Sequence, residues 1–236
     1  GVMLTNTPDV LTESTADLAF ALLMSSARRV AELDAWTKAG QWKASVGASL
    51  FGCDVHGKTL GIVGMGNIGA AVARRGRLGF NMPILYSGNS RKIALEQELG
   101  AQMRSLDQLL AEADFVCLVV PLSEKTRHLI SHRELGLMKS SAILINISRG
   151  PVVDEPALIE ALQTQRIRGA GLDVYEKEPL AESPLFQLSN ALTLPHIGSA
   201  THETRAAMAN RALDNLRSAL LGQRPQDLVN PQVWKG

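Results

Sequence analysis

Four apolar runs of this chain end in residues that can carry charge or move a proton. NISRG closes one, with Ile147, Ser148 and Arg149. GLDVYEKEP follows a second, with Asp173 and Glu178. LPHIGSAT follows a third, with His196 and Gly198. VVPLSEKT closes a fourth, with Val120, Pro121, Leu122 and Thr126. Singly, each charged residue has a plain alternative: a surface arginine, a turn aspartate, a solvated glutamate, a satisfied histidine. Gathered at one edge of a sheet, they suit reversible hydride transfer to a carbonyl. Hydride arriving at a ketone carbon leaves negative charge on oxygen, and a proton must follow. A protonated His196 can supply it, and a carboxylate such as Glu178 beside a histidine favours the charged form. Arg149 can hold a substrate carboxylate with two parallel hydrogen bonds and polarise the neighbouring carbonyl. No GxSxG elbow offers a competing nucleophile. His128 and His132 stand four apart, but SEKTRHLISH lacks the acid of HExxH, so both are expected at the surface and no metal site is expected.

A second pattern supplies the hydride donor. In GMGNIG, Gly64 permits a tight turn, Gly66 lets the backbone approach a pyrophosphate, and Gly69 lets helix and strand pack closely. Asn67 and Ile68 open the helix, whose free N–H groups suit phosphates. The plain alternative is a glycine turn with no ligand, but the strand before it and the helix after it favour a dinucleotide. Such sites usually carry an acid at the end of the second strand, to hold the adenosine ribose. Here ILYSGNSRK offers Ser87, Asn89, Ser90, Arg91 and Lys92 instead. These donors and cations suit a 2′-phosphate, so NADP(H) is expected in preference to NAD(H), which remains possible. The other view makes Arg91 and Lys92 merely the exposed start of the next helix. The cofactor is expected to meet Gly64, Gly66, Asn67, Ile68, Gly69, Ser87, Asn89, Ser90 and Arg91. From the later strand ends it would meet Val120, Pro121, Thr126, Ile147, Ser148, Arg149, Asp173, His196 and Gly198.

The elements that must position these residues alternate. KTLGIVG, PILY, DFVCLVV, SAILINIS, GAGLDV and ALTLP read as strands. Helices are expected over 67–78, 91–99, 105–113 with Ser105 as cap, 134–138, 154–163 and 201–221. Strands apolar on both faces, alternating with helices, imply an α/β, doubly wound, Rossmann-type parallel sheet covered on both sides. Upstream, residues 1–6 read as a short strand. One long helix follows, capped by Thr12 or Thr15 and ending near Gly40, with apolar residues recurring at three- and four-residue spacing. Residues 42–57 have no period and read as an extended arm, packed by Trp36 and Trp42.

Composition sets outer limits. The 236 residues are 45% apolar and 20% charged, ordinary for a globular chain, with a net charge of +1. No global field recruits nucleic acid or an anionic membrane. No run approaches the ~18 apolar residues of a membrane span, and no basic-then-apolar leader precedes Gly1. Cys53 and Cys117 form no CxxC pair, and Cys117 reads as a buried strand thiol. A cytoplasmic location is the expectation.

Taken together, TLGIVGMGNIG, FVCLVVPLSEKTRHLI, INISRGPVVDEPALIEAL, AGLDVYEKEP and LPHIGSATHETR resemble the D-isomer-specific 2-hydroxyacid dehydrogenases, from Gly1 to about Asn230. ADFVCLVVPL, MKSSAI and PHIGSATHETR are similar to a branch of bacterial glyoxylate/hydroxypyruvate reductases, also called 2-ketogluconate reductases. The resemblance implies reduction of a small-molecule 2-oxo acid. It places the family's catalytic Arg, Glu and His on Arg149, Glu178 and His196, the Glu being the one before Pro179 and not Glu176. It implies a homodimer through the first long helix and the 42–57 arm. It also implies a dinucleotide-binding domain over 12–198, with 1–11 and 199–236 as remnants of a substrate domain. Most of that domain would lie upstream, so the chain is expected to be partial, to bind dinucleotide, and to turn over substrate poorly alone. Two neighbouring functions stay in view. Corepressors of the same fold bind dinucleotide without needing catalysis, although no basic patch is present. Formate dehydrogenases resemble the family too, but pair their histidine with Gln where this chain has Glu178.

Overall fold

The computed structural model describes residues 1–234. In chain order the elements are α1 (Thr12–Arg28), α2 (Val30–Lys38), β1 (Leu60–Val63), α3 (Asn67–Arg74), β2 (Ile84–Ser87), α4 (Ile93–Leu99), β3 (Gln102–Met103), α5 (Leu106–Glu112), β4 (Phe115–Leu118), α6 (His132–Leu137), β5 (Ile143–Asn146), α7 (Glu155–Gln163), β6 (Gly169–Leu172), β7 (Ala191–Thr193) and α8 (His202–Leu220). The strands form one parallel sheet in the order β3-β2-β1-β4-β5-β6-β7. Every residue of β1, β4, β5 and β6 is buried, as runs apolar on both faces require. One core layer joins the sheet to α1, α3 and α4 through residues such as Leu22, Val72 and Leu95. The other joins it to α5, α6 and α7 through Leu109, Leu135 and Leu158. The result is the doubly wound α/β fold, and the strand order reverses between β1 and β4. In folds of this kind ligands bind at that reversal, beyond the carboxyl ends of the strands.

The helix starts follow local chemistry. Ser105 and Gln108 form a reciprocal capping box at α5. Asp154 accepts from the Ala157 N–H at 3.2 Å to start α7, and Thr201 accepts from the Thr204 N–H at 3.1 Å to start α8.

Several upstream expectations are corrected. Residues 1–6 form no strand; they make a single antiparallel bridge, Thr5 to Leu228, and the Leu4 N–H reaches Asn230 Oδ1 at 2.8 Å. The first long helix is two helices. Arg29 takes left-handed angles of φ 55° and ψ 38°, and its guanidinium is held by Glu32 and by the Ser49 carbonyl. Apolar spacing continues across the break, so periodicity alone could not reveal it. Neither Thr12 nor Thr15 caps α1: the cap position is Leu11, without a side-chain bond. The helix after GMGNIG ends at Arg74 and continues as a π-turn, Arg75–Gly79. Trp42 does not pack the 42–57 arm; it is 65% exposed. Of the expected 199–236 remnant, residues 235–236 lie outside the described residues.

Candidate active site

The glycine turn is built by close approach. Gly64 has φ +104°, and a Cβ there would lie 2.8 Å from Val120 Cγ1; a Cβ on Gly69 would lie 2.2 Å from the Gly64 carbonyl oxygen. Both positions therefore need glycine for packing reasons. At Gly66 a Cβ would meet nothing within 4 Å, so this position opens onto space. Gly66 caps α3 without a side chain, leaving the first N–H groups of the helix free of intrahelical acceptors. An open cradle lined by backbone N–H groups at a helix N-terminus fits a pyrophosphate. The Asn67 side chain turns away to bond Asp9, so its backbone is what faces that cradle.

β1, β2 and β4 finish level with one another, Val63 standing opposite both Ser87 and Leu118. Ser87 closes β2, and its carbonyl accepts from the Gly64 N–H at 2.9 Å. Asn89, Ser90 and Arg91 are exposed on the loop beyond. After β4, the Thr126 hydroxyl donates to the Pro121 carbonyl at 2.6 Å and accepts from the Ser123 N–H at 2.8 Å. That bonding folds the 121–126 loop and occupies the Thr126 hydroxyl. After β5, Ile147 and Ser148 are buried; the Ser148 hydroxyl donates to Asn146 Oδ1 at 2.7 Å. Arg149 is exposed, with Nη1 donating to the Ser148 carbonyl at 2.6 Å, and among the described residues its remaining nitrogens have no hydrogen-bond partner.

The loops after β6 and β7 meet. His196 Nδ1 lies 2.7 Å from Glu178 Oε2, while Glu178 Oε1 accepts from the Tyr175 N–H at 2.9 Å. Burial pushes the Glu178 carboxyl up, but the His196 hydrogen bond, the Tyr175 N–H and the charges of His196 and Arg149 together hold it below the ordinary carboxylate value. His196 adopts a left-handed φ of 53°, a conformation that costs a non-glycine residue energy and persists only where its surroundings fix it. Asp173 provides that fixing. It is 2% exposed, and its two oxygens accept from the N–H groups of Ile197 at 2.7 Å and Gly198 at 2.9 Å. Burial raises the Asp173 carboxyl above its ordinary value, against the pull of those two bonds. From the other side, the hydroxyls of Ser14 and Thr15 both donate to the Gly198 carbonyl at 3.1 Å. Asp173 and Gly198 thus spend their polar atoms on holding the His196 loop.

The structure brings Glu178 to His196 and Glu176 elsewhere. Glu176 Oε1 lies 2.6 Å from His128 Nε2, and the Glu176 N–H donates to Glu155. Sequence reasoning missed this second pair, and it missed Ser14 and Thr15 as anchors of the His196 loop. No spacing signal links residues that far apart. Cys117 is buried, and burial pushes its thiol up to about 12, which leaves it unreactive. Among the described residues, no group of three or more His, Cys, Asp or Glu could hold a metal ion, and no helix is long and apolar enough to cross a membrane.

Comparison with known proteins places this chain among relatives. Residues 20–198 match the family described as D-isomer specific 2-hydroxyacid dehydrogenase, NAD binding domain. The chain is 56% identical over 234 residues to glyoxylate/hydroxypyruvate reductase B of Yersinia pestis (strain Pestoides F), covering 99% of this chain and 72% of that protein. A crystal structure of a glyoxylate reductase from Paecilomyes thermophila superposes with a TM-score of 0.89 at 39% identity, covering 98% of this chain and 69% of the other. An NADPH-dependent glyoxylate/hydroxypyruvate reductase from Sinorhizobium meliloti, solved with NADP and malonate, gives 0.88 at 34% identity, covering 97% and 70%.

Proposed function

This chain belongs to the D-isomer-specific 2-hydroxyacid dehydrogenases, and from that premise we propose that it reduces glyoxylate, hydroxypyruvate and 2-ketogluconate, preferring NADPH to NADH. It is an oxidoreductase of the 2-oxo and 2-hydroxy acid class, with a dinucleotide-binding fold. The observation that carries the 2-oxo acid reduction is the 2.7 Å contact between His196 Nδ1 and Glu178 Oε2, a carboxylate that also feels the charge of Arg149.

The nicotinamide cofactor, when bound, supplies the hydride. The chain's own residues do the rest. The remaining nitrogens of Arg149 bind the substrate carboxylate and draw electron density from the adjacent carbonyl. His196, tied to Glu178 through Nδ1, has Nε2 left to give a proton to the carbonyl oxygen as negative charge develops there. Glu178 holds the ring's orientation and balances its charge, and Asp173 with Ser14 and Thr15 fixes the loop on which the ring stands. In the reverse direction the same Nε2 takes the proton from a 2-hydroxy acid.

Support for NADPH comes from the end of β2, where Ser87 stands in place of an acid that would repel a 2′-phosphate, and from the S. meliloti relative, which is NADPH-dependent by name. Residues 12–198 are assigned to the dinucleotide domain, and 1–11 with 199–236 to part of a substrate domain. Those two segments are tied together, the Val229 N–H donating to the Leu4 carbonyl at 2.8 Å. The protein is taken to be a cytoplasmic homodimer joined through α1, α2 and the 42–57 arm, where exposed Trp42 and Phe51 would be covered.

Steady-state reduction of the three acids by the full-length protein, with each cofactor, tests this function. The expectation is turnover with all three and a kcat/KM for NADPH at least tenfold that for NADH, the factor that one charge-assisted hydrogen bond of about 1.5–3 kcal/mol provides. Ser87→Asp should move the preference toward NADH. Equal kcat/KM for the two cofactors would remove the NADPH assignment, and no turnover of any 2-oxo acid would remove the function.

A further inference from the structure

The loop after β2 carries an anion of its own, delivered from the following helix. Tyr86 is fully buried. Its hydroxyl accepts from the Lys92 N–H at 2.7 Å and donates to Glu96 Oε1 at 2.6 Å. Arg91 closes on the same carboxylate, Nε lying 3.2 Å from Oε1 and Nη2 bonding Oε2. The two partners differ in freedom. The Glu96 side chain is 14% exposed and pinned by Tyr86, whereas that of Arg91 is 66% exposed and can turn. Both line one open groove of about 630 Å³ with Ser87, Gly88 and Arg104, beside the ends of β2 and β3. Arg104 is already paired, to Glu112 at 3.1 Å and to Gln102 Oε1 at 2.7 Å. Arg91 is therefore the cation of this groove that can be won over by an arriving anion, and Glu96 is what it must leave.

We propose that Glu96 is a specificity-determining residue: it competes with the cofactor's 2′-phosphate for Arg91 and so limits the preference for NADPH over NADH. The proposal rests on the NADPH assignment above and deepens it. A carboxylate and a phosphate offer the same pair of acceptor oxygens to a guanidinium fork. The phosphate must break the Arg91–Glu96 fork, and it brings its charge toward an anion that Tyr86 prevents from withdrawing. Arg91 first, and then the Tyr86 hydroxyl, hold the Glu96 carboxyl below its ordinary value, so the competing anion persists across the working pH range. The acid missing from the end of β2 is thus supplied from α4, but neutralised by the loop's own arginine. That leaves a site leaning toward NADPH without excluding NADH.

The test is Glu96→Gln in the purified enzyme. The amide oxygen still accepts from Tyr86, so the loop keeps its anchor while the charge is removed. The ratio of kcat/KM for NADPH to that for NADH should rise about tenfold, about 1.4 kcal/mol. Adenosine 2′,5′-bisphosphate should inhibit competitively with a Ki lower by a similar factor, with little change for AMP. In an Arg91→Ala background, which lowers the ratio by itself, Glu96→Gln should raise it far less, because Glu96 acts through Arg91. A general loss of fold would weaken both cofactors together and leave the ratio alone. If Arg91→Ala lowers the ratio but Glu96→Gln leaves it unchanged or lowers it too, Glu96 only orients Arg91; the competition is overturned and the NADPH assignment stands. If none of Ser87→Asp, Arg91→Ala and Glu96→Gln moves the ratio, the phosphate assignment fails and the proposal falls with it.

Discussion

Gly150→Ala should damage stability and catalysis together, because Gly150 is the point where two site loops touch. It follows Arg149, and a Cβ built on it would lie 1.8 Å from both the carbonyl carbon and oxygen of Tyr175 and 2.4 Å from the Glu176 nitrogen. These are backbone atoms, so no side chain can swing aside. Ordinary carbon contacts lie at roughly 3.5–4.0 Å, so one loop must move by well over 1 Å. Overpacking of this kind costs about 1–3 kcal/mol, and in a chain of this size each kcal/mol lowers Tm by roughly 2–4 °C. The displaced residues are Arg149 on one side and the 175–178 segment, which carries Glu178, on the other. A misplacement of about 1 Å near a reacting centre can lower the rate by roughly 10². Differential scanning fluorimetry and steady-state kinetics on the same preparation give both numbers. Gly47→Ala is the control, since a Cβ there meets nothing within 4 Å. A Gly150→Ala enzyme with wild-type Tm and wild-type kcat would refute the reasoning, because it would mean that the two loops do not need their close contact.

Other consequences are more local. Asp173→Asn should cost about 1.5–3 kcal/mol, the scale of one hydrogen bond to a charged group, since an amide cannot accept from both Ile197 and Gly198; an unchanged Tm would contradict this. The same substitution should lower kcat, by releasing the left-handed His196 backbone. At Asp114, burial pushes the carboxyl up, but the Lys139 ammonium at 2.8 Å and the Thr59 N–H at 2.9 Å outweigh it and hold the group below its ordinary value of 3.8. Its contribution is therefore complete above pH 3.8 and is lost as the pH falls below that through the lower folded value. Melting temperatures across that acid range should fall less steeply in Asp114→Asn than in the wild type, and equal slopes would argue against the pair.

The sheet and the glycine turn were legible because their causes are local. Four-residue runs such as LGIV and ILIN can be buried on both faces only inside a covered parallel sheet, and GMGNIG states its own turn. Ser105, Asp154 and Thr201 announced helix starts through side chains that bond three residues on. The break at Arg29 was not legible, because its left-handed angles are fixed by Glu32 and by the Ser49 carbonyl across the fold, while the apolar spacing runs on. β3 is two residues long and too short for any period. Residues 1–6 looked like a strand by composition, but among the described residues they make one bridge, Thr5 to Leu228, and no ladder. Glu96 carried no signal of its own in the sequence; Tyr86, buried in the strand before, and Arg91 hold it at the groove. The Glu178–His196 contact was anticipated from chemistry and resemblance, whereas the anchoring of Gly198 by Ser14 and Thr15 joins residues more than 180 positions apart.

The central claim is that His196 delivers the proton while Glu178 balances it. The most direct measurement is the pH dependence of hydroxypyruvate reduction by the wild type, His196→Ala and Glu178→Gln at saturating cofactor. His196→Ala should lower kcat by roughly 10²–10⁴, the usual scale for a lost general acid, and should erase the fall of kcat toward high pH. Glu178→Gln should lower kcat by a smaller factor, because the amide can still bond His196 Nδ1 but no longer balances the charge that the ring carries. A His196→Ala enzyme that reduces hydroxypyruvate at the wild-type rate, with the wild-type pH profile, would contradict the account.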